Sequence, residues 1–95
     1  MEVTFRVGER FPEISGETAD QFAEEMLRLE DSDFEEVVLD FAGTNYINSM
    51  AMGTIFATYQ KLSENERNLR IMNVNDKIYR LFKMANLVDL LNVKS

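Results

Sequence analysis

A chain of 95 residues, 45% of them apolar, can build one hydrophobic core but has no length for a second, so residues 1–95 are expected to form a single domain. With no cysteine and no histidine, disulfides, thiolate metal sites, cysteine nucleophiles and any Ser/His/Asp arrangement are excluded, and an enzyme is not expected. The net charge of −7 speaks against nucleic acid, whose binding rests on Lys and Arg neutralising phosphates.

The first residues, Met1 to Arg6, lack the basic start and apolar run of a secretory signal. No later stretch approaches the roughly 20 apolar residues of a membrane helix, so a soluble, cytoplasmic protein is expected, without membrane insertion. Val3-Thr4-Phe5-Arg6-Val7 alternates apolar and polar residues, the period of a half-buried strand. Gly8-Glu9-Arg10 offers a turn, and Phe11 to Ile14 reads as a second short strand, held to a sheet edge by Pro12.

A helix is predicted over Thr18–Glu30, with Phe22, Met26 and Leu29 at i, i+4 and i+7 and with Ala19 and Ala23 on the same stripe. Its acids are part of an uneven charge distribution, since residues 1–36 hold twelve acids and three bases while residues 37–95 hold five and seven. A solvated acidic helix accounts for this, and so does a surface that steers a basic partner.

Glu36 to Phe41 is the clearest strand, and its unbroken apolar run predicts a central position with both faces covered. After Gly43-Thr44-Asn45 and Tyr46-Ile47 comes Asn48-Ser49, a natural N-cap pair for a helix over 50–63. Met52, Ile55, Phe56, Tyr59 and Leu62 form its predicted apolar stripe. A polar connection over 63–68 leads to a strand over 69–74. Asn75 can cap a helix running from Asp76 to Ala85, with Ile78, Leu81, Phe82 and Ala85 inward and Lys77, Arg80 and Lys83 on a solvated face. Asn86 suits the left-handed residue that ends many helices, and Leu87 to Val93 is apolar, helical or extended.

The order β-β-α-β-α-β-α predicts an α/β fold with a mainly parallel four- to five-stranded sheet. In such sheets ligands and partners meet the loops at the carboxyl ends of the strands, here the loop from Phe41 to Ser49. Gly8, Gly16, Gly43 and Gly53 are too scattered for a phosphate-cradling motif, so no nucleotide cofactor is expected. Asp40 ends a strand as a receiver's phosphoacceptor does, but paired acids after the first strand and a lysine after the last are lacking, and a structural role is expected.

The run Val37-Val38-Leu39-Asp40-Phe41-Ala42-Gly43-Thr44-Asn45-Tyr46-Ile47-Asn48-Ser49-Met50-Ala51-Met52-Gly53 resembles the signature of STAS domains. In that family a hydrophobic strand ending in Asp leads through a loop and an aromatic or apolar pair to Asp-Ser-Ser/Thr-Gly-Leu-Gly at a helix start. Leu69 to Val74 is similar to the family's next strand, Asp76 to Leu91 to its third helix with the Met84-Ala85-Asn86-Leu87 close, and Glu13-Ile14 with Thr18-Ala19 to its entry into the first helix. Asn48, Met50 and Ala51 depart from the family's Asp, small residue and first glycine, while Ser49, Met52 and Gly53 match its serine, leucine and second glycine.

The resemblance, which is to bacterial anti-sigma factor antagonists in particular, implies a non-catalytic STAS-like protein. Such a protein captures an anti-sigma factor that is also a serine kinase and is switched off by phosphorylation, here at Ser49, with a PP2C-type phosphatase reversing the switch. The partner-binding surface it implies comprises Asn48, Ser49, Met50, Ala51, Gly53 and Thr54. On the residues alone, Ser49 reads as a plain capping serine whose hydroxyl satisfies the helix start, a role compatible with the one the resemblance implies. A second functional expectation is a STAS accessory or scaffold subunit, associated with a transporter or a stressosome-like assembly and lacking a working phosphoswitch.

Overall fold

Five strands and four helices follow one another along the chain. A computed structural model describes residues 1–95, with β1 (Glu2–Arg6), α1 (Val7–Arg10), β2 (Glu13–Ile14), α2 (Glu17–Glu30), β3 (Glu36–Asp40), β4 (Tyr46–Ile47), α3 (Ser49–Glu64), β5 (Asn68–Met72) and α4 (Asp76–Met84). The three long helices start and end within a residue of the predicted bounds. The turn at Gly8 is one turn of helix, and Tyr46-Ile47 is a strand of its own. All the strands pair in parallel, but in two sheets: β1-β3-β5 and a short β2-β4 pair. The apolar tail beyond Asn86 ends extended, where Val93 bridges Ile71 and Lys94 N–H donates to the Ile71 carbonyl at 2.9 Å along the free side of β5.

The helices pack on one face of the three-stranded sheet. Val37, Leu39, Leu69 and Ile71 share a single buried cluster with Phe22 and Met26 of α2, Ile55 and Leu62 of α3, and Ile78 and Phe82 of α4. Each such side chain contributes about 1.5–3 kcal/mol on leaving water, which is what holds the layers together. Phe11 extends the cluster toward the N-terminal segment, edge-on to Phe22 at 5.7 Å.

The apolar run of β3 predicts a central strand with both faces covered; β3 is central and Val37, Val38 and Leu39 are all buried, but helices cover only one of the two faces. Val38 faces away from the helices, buried but outside the main cluster, with Thr4 and Arg70 as its neighbours in register. Around it lies a polar face on which Arg70 reaches Glu36 at 3.1 Å and Glu2 at 3.4 Å, tying three strands together. The bond from Arg70 holds the Glu36 carboxyl below its ordinary range.

Helix α3 is also turned from the predicted stripe. Ala51, Ile55, Thr58 and Leu62 are its buried residues, and Met52, Phe56 and Tyr59 are only half-buried. A buried threonine is tolerated because Thr58 Oγ1 lies 2.9 Å from Glu30 Oε2 and 3.0 Å from the Thr54 carbonyl. In α4, Ile78 and Phe82 point inward as expected, Leu81 is half-buried, and Ala85 is exposed at the helix end.

The polar connection after α3 supplies a clamp. Arg67 donates to the carbonyls of Phe34, Glu30 and Leu29 at 2.6, 2.9 and 3.0 Å, and to Ser32 Oγ at 3.0 Å. A planar guanidinium thereby satisfies the carbonyl end of α2, the pole that favours a positive charge.

Candidate functional site

The loop between β3 and α3 is held from several sides before it reaches the helix start. Asp40 Oδ1 accepts from the Ala42 amide at 3.0 Å and from Asn73 Nδ2 at 2.9 Å, so the end of β3 is tied to the residue after β5. These bonds, the amide first and Asn73 next, outweigh partial desolvation and keep the Asp40 carboxyl below its ordinary pKa of 3.8. Asp40 therefore has the structural role expected of it.

Farther along, Thr44 is buried and its hydroxyl donates to the Phe11 carbonyl at 2.8 Å. Asn45 N–H donates to Pro12 at 2.7 Å and Asn48 N–H to Ile14 at 3.0 Å, continuing the β2-β4 pairing. Asn75 caps α4 by accepting from Ile78 N–H at 2.8 Å, and its amide donates to the Asn45 carbonyl at 3.2 Å. The starts of α3 and α4 are thus fixed relative to each other.

Asn48 is the N-cap of α3. It is extended, with φ −92° and ψ 176°, and its Oδ1 accepts from the Ala51 amide at 2.8 Å. Ser49 is the first residue inside the helix, exposed, and its hydroxyl makes no hydrogen bond to the protein. The capping role open to Ser49 on the sequence is filled by its neighbour. The amides of Ser49 and Met50 belong to the first helical turn and have no intrahelical acceptor, so they are free to meet an anion.

The other expected docking residues divide. Met50 is 51% exposed, Gly53 is exposed and Thr54 is half-buried, so all can meet a partner. Ala51 is fully buried with its methyl in the core, where the turned face of α3 puts it, and it offers a partner no side chain.

Gly53 is not forced on the helix by crowding. A Cβ built there meets nothing within 4 Å. Glycine inside a helix is about 1 kcal/mol worse than alanine. Gly53→Ala is accordingly expected to raise Tm by about 4–8 °C in a thermal melt. The wild-type residue leaves a bare stretch of helix against which another backbone can lie closely.

Beside Ser49 runs a groove of about 480 Å³ between β4, the first turn of α3 and the end of α4, lined by Tyr46, Ile47, Asn48, Ser49, Met52, Leu81, Met84 and Ala85. None of the eight carries a charge. Two of them stand out from the surface as large apolar groups, Tyr46 at 38% and Met84 at 81% exposure. Together with Met50 they surround the hydroxyl with flexible or flat apolar side chains, the kind that adapt to a partner. Lys77 stands at the rim, its ammonium 5.8 Å from the Tyr46 ring centre. Tyr46, Ile47, Met52, Leu81, Met84 and Ala85 line this groove, and the sequence did not mark them as docking residues. Met84 was visible only as part of a family motif, and an apolar residue between the expected inward positions Phe82 and Ala85 was the available signal.

Comparison with known proteins agrees with this geometry. The family model of the STAS domain matches residues 11–95, and so spans every element that builds the site. The anti-sigma-B factor antagonist of Staphylococcus epidermidis is 29% identical over 76 residues, covering 80% of this chain and 70% of that protein. The anti-sigma-B factor antagonist of Staphylococcus aureus is 26% identical with the same coverage. No helix is long and apolar enough to cross a membrane.

Proposed function

Because the chain belongs to the STAS domain family, we propose that it is an anti-sigma factor antagonist, which captures an anti-sigma factor on the face around Ser49 and releases it when Ser49 is phosphorylated. The relatives named as anti-sigma-B factor antagonists support the first half of this reading. The second half rests on one observation: an exposed serine hydroxyl, free of any capping duty, on the wall of a mainly apolar groove that no charged residue lines.

The physics of the switch follows from the position. A phosphoryl group transferred from ATP to Ser49 Oγ would meet the unpaired amides of the first turn, so the helix need not unravel. The same group adds about 1.5–2 negative charges to a surface whose groove has none. A partner covering that surface would have to strip water from the charge, and the complex weakens while the fold persists. Nothing in this cycle asks for turnover by the chain itself. The natural partners are an anti-sigma factor with serine kinase activity and a PP2C-type phosphatase, acting in the cytoplasm. Asn48 bears no charge beside the hydroxyl, and this speaks for the second reading, a non-catalytic accessory or scaffold subunit that docks through the same face without a switch.

Phosphorylation separates the two. Incubated with the partner kinase and ATP, the wild-type chain is expected to gain one phosphate by intact mass and Ser49→Ala none. A phosphate on another residue, or none on the wild type, refutes the switch and leaves docking alone.

A further inference from the structure

Strand β1 has a neighbour on one side only. It pairs with β3, and no strand lies beyond it, whereas the free side of β5 is taken by the tail through Val93 and Lys94. The Met1 carbonyl accepts from the amides of Glu35 and Glu36, at 3.0 and 3.4 Å, so the odd-numbered residues turn their backbone groups toward β3. By the alternation of a parallel ladder, Glu2, Thr4 and Arg6 turn theirs outward. Their side chains are exposed as well, on the polar face of the sheet, while Val3 and Phe5 are half-buried against the core. An open row of amides and carbonyls on an edge strand is a template for another strand.

The order of residues on this edge says which strand fits. We propose that β1 pairs antiparallel with β1 of a second copy of the chain, about a two-fold axis at Thr4. In that register Glu2 lies opposite Arg6 of the second copy and Val3 opposite Phe5, each pair repeated by the symmetry, while Thr4 meets Thr4 once on the axis. All three are favourable cross-strand pairs: opposite charges, an aromatic with a β-branched residue, and threonine with threonine. The outward backbone groups of residues 2, 4 and 6 then meet their counterparts as hydrogen-bonded pairs, and the two three-stranded sheets become one of six. Each Glu2 comes to sit between its own Arg70, at 3.4 Å, and Arg6 of the other copy. A parallel pairing would set Glu2 against Glu2 and Arg6 against Arg6, so the charges also select the orientation. No residue of this edge lines the groove beside Ser49, which stays open in the dimer.

The test is sedimentation velocity over a range of concentrations, with the fold of each variant checked by circular dichroism. The wild type is expected to dimerise reversibly. Glu2→Arg and Arg6→Glu each put like charges opposite one another twice per dimer, and each alone is expected to weaken dimerisation about tenfold or more. Mixed in equal amounts, the two variants restore both pairs and should form a dimer at least as tight as the wild type. A wild type that stays monomeric up to millimolar concentration overturns the proposal. So does a dimer that survives both single variants, which would put the contact elsewhere, or a mixture that fails to recover it.

Discussion

Gly8→Ala is expected to destabilise the fold by roughly 3 kcal/mol or more, lowering Tm by at least about 12 °C, because an added methyl meets closer backbone atoms here than at any of the other three glycines. A Cβ at this position would lie 1.7 Å from the Ala42 carbonyl oxygen, 2.6 Å from its carbon and 2.9 Å from Gly43 Cα. All three are backbone atoms, which cannot swing aside as the end of a long side chain does. Gly43 answers Gly8 from the other side. Its φ of +94° is open to glycine at little cost, and it lets the loop pass close over the helical turn of α1. The alanine must therefore separate α1 from the loop that carries Thr44 to its bond with Phe11 and Asn45 to its bond with Pro12. A small domain has only about 5–15 kcal/mol of net stability, so the variant should unfold at markedly lower temperature and denaturant. A melt within a few degrees of the wild type would show that this close approach does not hold the loop. Gly53→Ala, with open space at the same atom, is expected to move Tm in the opposite direction, and the pair tests whether geometry rather than residue type sets the sign.

The other large effect concerns binding. Ser49→Asp places one negative charge where the phosphate would stand, at the first position of α3 and beside a groove without charged residues. Near a helix N-terminus an acid is tolerated or mildly stabilising, so the folded state should not suffer. Covering the same carboxylate with an apolar partner is another matter. Removing an unpaired charge from water costs several kcal/mol even after relaxation. Taking about 3 kcal/mol as the lower end, affinity for the anti-sigma factor falls more than 100-fold. Ser49→Ala loses only a hydroxyl that bonds to nothing in the protein, and binding should stay close to that of the wild type.

Much of this architecture was legible in the residues. The apolar spacing in α2 and α4 and the cap residues Asn48 and Asn75 set the helix bounds, because helical periodicity and capping are local. The parallel order followed from alternating strands and helices. What escaped were features fixed by distant partners. The β2-β4 pair consists of two-residue strands whose existence depends on Glu13 meeting Tyr46 and Ile14 meeting Ile47 across the chain. Arg67 reads locally as one more charge in a polar connection, and its four acceptors lie more than thirty residues back. The run Val37-Val38-Leu39 looked covered on both sides because strand periodicity cannot distinguish helices above Val38 from the aliphatic stem of Arg70 and its ion pairs.

The proposed docking surface divides in the same way. Ser49, Met50 and Gly53 could be read from one contiguous segment, and the burial of Ala51 could not, since it depends on how far α3 is turned about its axis. Tyr46 and Met84 join the surface only because β4 and the end of α4 flank the same groove. A motif marks where a helix begins. It does not say what the neighbouring helix brings.

The most direct measurement is isothermal titration of the anti-sigma factor with the wild type, Ser49→Ala and Ser49→Asp, alongside thermal melts of the three proteins. The expectation is similar affinities for the first two, a loss of more than about 100-fold for the third, and closely similar melting temperatures throughout. Binding of Ser49→Asp as tight as that of Ser49→Ala would contradict it, because the exposed start of α3 could then not be the face that the partner covers.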